Sequence, residues 1–111
     1  MKVFISQPMR GKTETEIKEA RNEAEMAARV YLQEHFHTPQ ERIEFINTIF
    51  EEEPGKEFSK KPLWYLGKSI QFLGQADVAF FFGDWKKYNG CLTEHFAAEH
   101  YKIPCVDMSK G

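Results

Sequence analysis

A chain of 111 residues with 41% hydrophobic content, including 10 Phe, 4 Tyr and 2 Trp, has room for one core and enough apolar mass to fill it, which excludes disorder and fibrous repeats. A net charge of −2 argues against a general nucleic-acid binder held by phosphate neutralisation, yet a small anionic ligand needs only one local basic group. Two cysteines, Cys91 and Cys105, are too few for a disulfide framework and lie in no metal-ligand spacing, so one cytoplasmic domain over 1–111 is expected, with no leader, membrane span, metal or other cofactor.

Val3-Phe4-Ile5 clusters β-branched and aromatic residues and runs into Ser6-Gln7-Pro8, where the proline ends pairing; this predicts a buried strand over 2–6. A helix follows from about residue 13. Thr13 is placed to cap it and Glu16 to close a capping box, while Ile17, Ala20, Ala24, Ala27, Ala28, Tyr31 and Leu32 form one apolar stripe. His35 to Pro39 ends that helix. Ile43 to Ile46 predicts a short second strand, and 47–62, with Glu51-Glu52-Glu53-Pro54-Gly55 and Lys60-Lys61-Pro62, reads as a polar loop or mobile flap.

Leu63, Leu66, Ile70 and Leu73 have the helical period, and Gly74 is placed to stop it. Asp77 to Phe82 is apolar at every position after the first, as a central parallel strand covered on both faces requires. A loop over 83–90, a helix over 91–101 and a closing strand over 103–107 complete the order. Strands alternating with helices predict a three-layer α/β fold, flavodoxin-like or Rossmann-like, with a mainly parallel sheet of four to five strands.

In such sheets ligands gather beyond the carboxyl ends of the strands, where strand order reverses. That selects two loops, Ser6 to Lys12 and Gly83 to Gly90. Arg10 and Gly11 precede a helix whose free N–H groups favour an anion, although a plain surface arginine explains them equally; Lys12 reads as solvent-facing. The second loop leads to Glu94, in or near the first turn of its helix, from where a carboxylate can reach a ligand held by the first loop; complementing the helix dipole is the plainer reading. His95 reads as a structural or rim contact, Glu99 as part of a solvated face and Cys91 as a small packing residue. Among Trp64, Tyr65, Trp85 and Tyr88, Trp85 is the ring best placed to stack on a nucleobase.

Val3-Phe4-Ile5-Ser6-Gln7-Pro8-Met9-Arg10-Gly11, Ala76-Asp77-Val78-Ala79-Phe80-Phe81, Gly90-x-x-x-Glu94 and Ile103-Pro104, in that order along nearly the whole chain, resemble the nucleoside 2-deoxyribosyltransferase-like superfamily. More narrowly, Pro62-Leu63-Trp64-Tyr65-Leu66-Gly67 and Gly83-Asp84-Trp85 are similar to segments of its small bacterial and bacteriophage branch, related to the 2′-deoxynucleoside 5′-phosphate N-hydrolases. The resemblance implies a flavodoxin-like sheet, Glu94 as the nucleophile at the sugar's anomeric carbon, and Arg10 at a 5′-phosphate. It further implies that Ser6, Gln7, Pro8, Met9, Gly11, Ser69, Asp84, Trp85 and Gly90 line the substrate. A small nucleoside or nucleotide is the expected partner, with neither a nucleic-acid polymer nor a membrane. A homodimer or larger homo-oligomer, in which a second copy walls the site, is expected by the same analogy.

Two positions depart from the family pattern. Phe4 stands where the family has a tyrosine, and Ser69 aligns with an aspartate, so two polar partners of the nucleophile are replaced. The alternatives are therefore an N-glycosidase or deoxyribosyltransferase and a non-catalytic nucleotide-binding or regulatory module of the same fold.

Overall fold

In the computed structural model, which describes residues 1–109, the strands β1 (Lys2–Ser6), β2 (Glu44–Phe45), β3 (Val78–Phe82) and β4 (Cys105–Met108) form one sheet. Its order is β2-β1-β3-β4 and every neighbouring pair is parallel, with Val3 opposite Val78 and Ala79 opposite Cys105. The helices are α1 (Glu14–Phe36), α2 (Lys61–Leu73) and α3 (Asn89–His100). This is the predicted three-layer α/β architecture, with four strands.

Alternation along the central strands sorts the core into two layers. Val3 and Ile5 of β1 and Val78 and Phe80 of β3 meet Ala24, Ala28 and Leu32 of α1. On the other face Phe4, Ala79 and Phe81 meet Leu73 of α2 and Cys91 and Ala98 of α3, with Trp85 closing the cluster. Alanines on α1 let that helix lie close to the sheet while the larger side chains of β1 and β3 fill the space.

The α1 start is as the sequence predicts: the Thr13 hydroxyl accepts from the Glu16 N–H at 3.1 Å and the Glu16 carboxylate accepts from the Thr13 N–H at 2.9 Å. Two boundaries differ from expectation. Helix α2 begins at Lys61, with Pro62 in its first turn where a missing N–H costs nothing. Helix α3 begins at Asn89 rather than at 91, because Tyr88 already takes the extended conformation of an N-cap residue.

The 46–60 segment contains no helix or strand, as expected, but it is pinned rather than free-standing. Buried Arg21 of α1 donates to the Ile46 carbonyl at 2.6 Å and to the Thr48 hydroxyl at 2.7 Å. Phe50 packs on Phe72 of α2 and Phe58 on Trp64, and Lys68 pairs with Glu52. Among the described residues no helix is long and apolar enough to cross a membrane.

Candidate functional site

The strand order reverses between β1 and β3, which leave the middle of the sheet side by side and send their connections to opposite faces. The loops that follow them lie close together. Gly83 has φ +64°, a backbone conformation that favours glycine, and a Cβ there would meet the Pro8 ring at 3.4 Å, an ordinary contact distance. Gly11, at φ +79°, turns the first loop toward the capped start of α1.

Beneath this junction, Cys91, Glu94 and Ala98 form the inward stripe of α3. Glu94 thus occupies a core position with only 8% of its surface exposed. A buried carboxylate needs a partner, and Ser6, the last residue of β1, donates its hydroxyl proton to Glu94 Oε1 at 2.7 Å. Buried Ser69 of α2 is a further hydroxyl near that carboxylate, favouring its ionised form. Burial dominates the electrostatics: it pushes the Glu94 carboxyl up to about 7, against the opposing pull of the Ser6 and then the Ser69 hydroxyl.

Cys91 shares this pocket of side chains. Burial drives its thiol up to about 11, partly offset by the nearby Ser6 hydroxyl, while the Glu94 and Asp84 carboxylates push in the same direction as burial. The thiol therefore stays protonated, consistent with its reading as a packing residue and opposed to that of a reactive nucleophile.

Of the residues singled out from the sequence, Ser6, Ser69 and Glu94 converge, and Asp84 sits exposed at the rim, close enough to act on Cys91. Gly90 lies half-buried in the first turn of α3, and Pro8 is buried in the loop beside Gly83. Met9 is half-buried and Arg10 exposed in the same loop. Gln7 is 5% exposed; its amide donates to the Ile17 carbonyl at 3.0 Å, leaving its oxygen without a partner.

Two expectations need correction. Glu94, expected in or near the first turn of its helix, lies in the second turn of α3, which starts at Asn89, and burial rather than the helix dipole sets its character. Trp85 is not a loop ring open to a nucleobase. It is 3% exposed and packed against Phe81 and His95, and its indole N–H donates to Asp107 Oδ1 at 2.9 Å.

The other polar residues behave as read. His95 stacks on Trp85 and pairs with exposed Glu99 at 2.8 Å, and Lys12 faces solvent. Sequence reasoning missed Arg21, although its place on the inward 21-24-28-32 stripe of α1 could have marked it as a buried cation in need of partners.

Two cavities lie away from this cluster. One of about 490 Å³ is lined by His95, Glu99 and Lys102 to Cys105, and one of about 720 Å³ lies between the β2 edge, the 46–52 segment and the end of α2. No group of three His, Cys, Asp or Glu side chains able to hold a metal occurs among the described residues. No family model matches the chain, and neither a curated protein nor a solved structure matches it.

Proposed function

We propose that the chain is a nucleoside- or nucleotide-processing N-glycosidase or deoxyribosyltransferase, with Glu94 as its nucleophile. The observation that carries this reading is a carboxylate buried at the strand-order reversal and held by the Ser6 hydroxyl at 2.7 Å. In the reaction, a Glu94 oxygen attacks the anomeric carbon as the bond to the base nitrogen breaks and its electron pair leaves with the base. The glycosyl ester is then resolved by water, giving the free sugar, or by a second base, giving transfer. A carboxyl held at about 7 is close to half ionised at neutral pH, so it retains a substantial nucleophilic fraction. Arg10, exposed in the loop beside Gly11, is the group proposed for a 5′-phosphate.

The test incubates the protein with a panel of deoxynucleosides and their 5′-monophosphates and follows release of base. Release that disappears in Glu94→Ala supports the reading; absence of release across the panel, or release unchanged in Glu94→Ala, overturns it.

A second reading, a non-catalytic nucleotide-binding or regulatory module, draws on the low exposure of Glu94 and on Phe4, fully buried where the resembling enzymes carry a tyrosine hydroxyl. Saturable binding of intact nucleotide without base release, weakened in Arg10→Ala, selects it. Assembly of two or more copies belongs to either reading. Leu63 of α2 and Leu92 and Phe96 of α3 stand exposed on the face opposite the sheet, and a monomer mass in light scattering at micromolar concentration overturns the assembly.

A further inference from the structure

Alternation along β1 puts Ser6 on the same face as Phe4, toward α2 and α3, and the pairing of Ser6 with Phe81 in the ladder fixes where its hydroxyl stands. The Glu94 carboxylate, arriving from α3, is split between two environments. Oε1 accepts the Ser6 proton at 2.7 Å, and Ser6 is only 2% exposed. Oε2 accepts no hydrogen bond among the described residues, yet the one side-chain polar atom there that is both sealed from solvent and unpartnered is Gln7 Oε1. Oε2 therefore keeps contact with solvent. The carboxylate is tied at one oxygen and open at the other.

We infer that Ser6 is a positioning residue that anchors Oε1 inside the fold and turns Oε2 outward as the oxygen that attacks the anomeric carbon. This rests on the proposed role of Glu94, but the anchor itself is measured without substrate. A glutamate side chain has three rotatable bonds, and a hydroxyl fixed on a sheet strand settles the last of them. In the first step the Oε2–C1′ bond forms as the C1′–N bond breaks, and the base leaves with that electron pair and takes a proton from water. Oε1 is then the carbonyl oxygen of the ester and still accepts from Ser6. When water or a second base attacks C1′, the Oε2–C1′ electron pair returns to the carboxylate and the attacking group gives its proton to solvent. One hydroxyl thus serves both halves of the reaction without moving. Around it, Ser69 of α2 supplies a second hydroxyl, the Cys91 thiol lies on the same helix as Glu94, and Asp84 stands at the rim after β3.

The experiment compares the wild type with Ser6→Ala and Ser6→Thr, each established as folded by circular dichroism, and begins with a carbon-13 NMR titration of the Glu94 side-chain carboxyl. In Ser6→Ala the midpoint rises by about one pH unit, the scale of a buried hydrogen bond to a charged group, while Ser6→Thr, which keeps the hydroxyl, stays near the wild type. An unmoved midpoint in folded Ser6→Ala overturns the inference. Where base release is found, kcat falls at least about fivefold in Ser6→Ala at pH 7 through lost ionisation, with KM little changed. At pH 9, where Glu94 is ionised in both proteins, kcat stays lower in Ser6→Ala and is recovered in Ser6→Thr. Equal rates there refute the positioning role, and a faster Ser6→Ala, freed of a bond that would have to break first, makes Oε1 the attacking oxygen and overturns the assignment. A protein that releases no base yet shows the titration shift keeps the Ser6 anchor and loses the enzymatic reading, and with it the attack by Oε2, so the two failures are distinct.

Discussion

The Arg21 guanidinium, buried on α1, donates to the Thr48 hydroxyl at 2.7 Å and to the Ile46 carbonyl at 2.6 Å, tying the segment after β2 to the opposite layer of the fold. Its third arm meets Glu25 at 2.9 Å. Replacement by methionine keeps the apolar stem and leaves the Ile46 carbonyl and the Thr48 hydroxyl without their partner. Arg21→Met is expected to cost about 2–4 kcal/mol in a denaturant titration. A loss below about 0.5 kcal/mol, the scale of an ordinary surface change, would mean the clamp contributes no net stability.

Glu94 gives stability a defined pH dependence. Its carboxyl titrates at about 7 in the folded chain against 4.5 as the ordinary value, so between those values the folded state binds the proton more tightly. Stability is therefore highest below the lower value and falls as pH rises through the upper one, by on the order of 3 kcal/mol. Glu94→Gln, which cannot ionise, should lose this component. Urea unfolding should show the variant gaining on the wild type between pH 5 and pH 8, and an equal difference at both pH values would refute the assignment.

The two thiols should separate by reactivity. Cys91 is 4% exposed with its thiol held up at about 11, whereas Cys105 is half-buried, its thiol pushed up by burial and then by Glu99. Mass spectrometry after iodoacetamide treatment of the native protein at pH 8 should find Cys105 alkylated first and Cys91 labelled only on unfolding. Prompt labelling of Cys91 would contradict its place in the core.

Trp85 joins the core to the last strand through its indole hydrogen bond to Asp107, whose carboxyl is thereby held down at about 2. Trp85→Phe keeps an aromatic ring between Phe81 and His95 and removes only the donor, for an expected loss of about 1 kcal/mol; Trp85→Ala removes the ring and should cost about 3–5 kcal/mol. Nucleotide binding, wherever it is measured, should be unaffected by Trp85→Phe. A binding loss without a stability loss would restore the stacking role.

Layering and the central place of β3 were legible because they depend on burial, which leaves a pattern in the residues. The apolar run from Val78 to Phe82 has to lie between two helical layers, and the alanine stripe of α1 has to face a sheet. Glu94 was legible as a candidate from its loop, but its depth was not, since that depends on where α3 starts, and Tyr88 carries no capping side chain to mark the boundary. Trp85 was misplaced for a related reason. Its neighbours Asp84, Lys86 and Lys87 are all exposed, and a single turn of 3-10 helix points the indole inward while the rest of the loop stays in water. The Ser6–Glu94 bond joins positions 88 residues apart, a pairing that no local pattern encodes.

The approach of Gly83 to the Pro8 ring, which a Cβ at Gly83 would meet at 3.4 Å, also bears on how the rim behaves. Adjacent strands in a sheet are held about 4.8 Å apart by their ladder, and the pairing of β1 with β3 runs on to Ser6 opposite Phe81, just before the two loops begin. Neither a glycine nor a proline ring has side-chain rotamers to adjust. The spacing of the β1 and β3 loops is consequently inherited from the sheet, so any molecule docking at this edge meets a width set by the ladder, and adaptation to it falls to the side chains of Arg10 and Asp84.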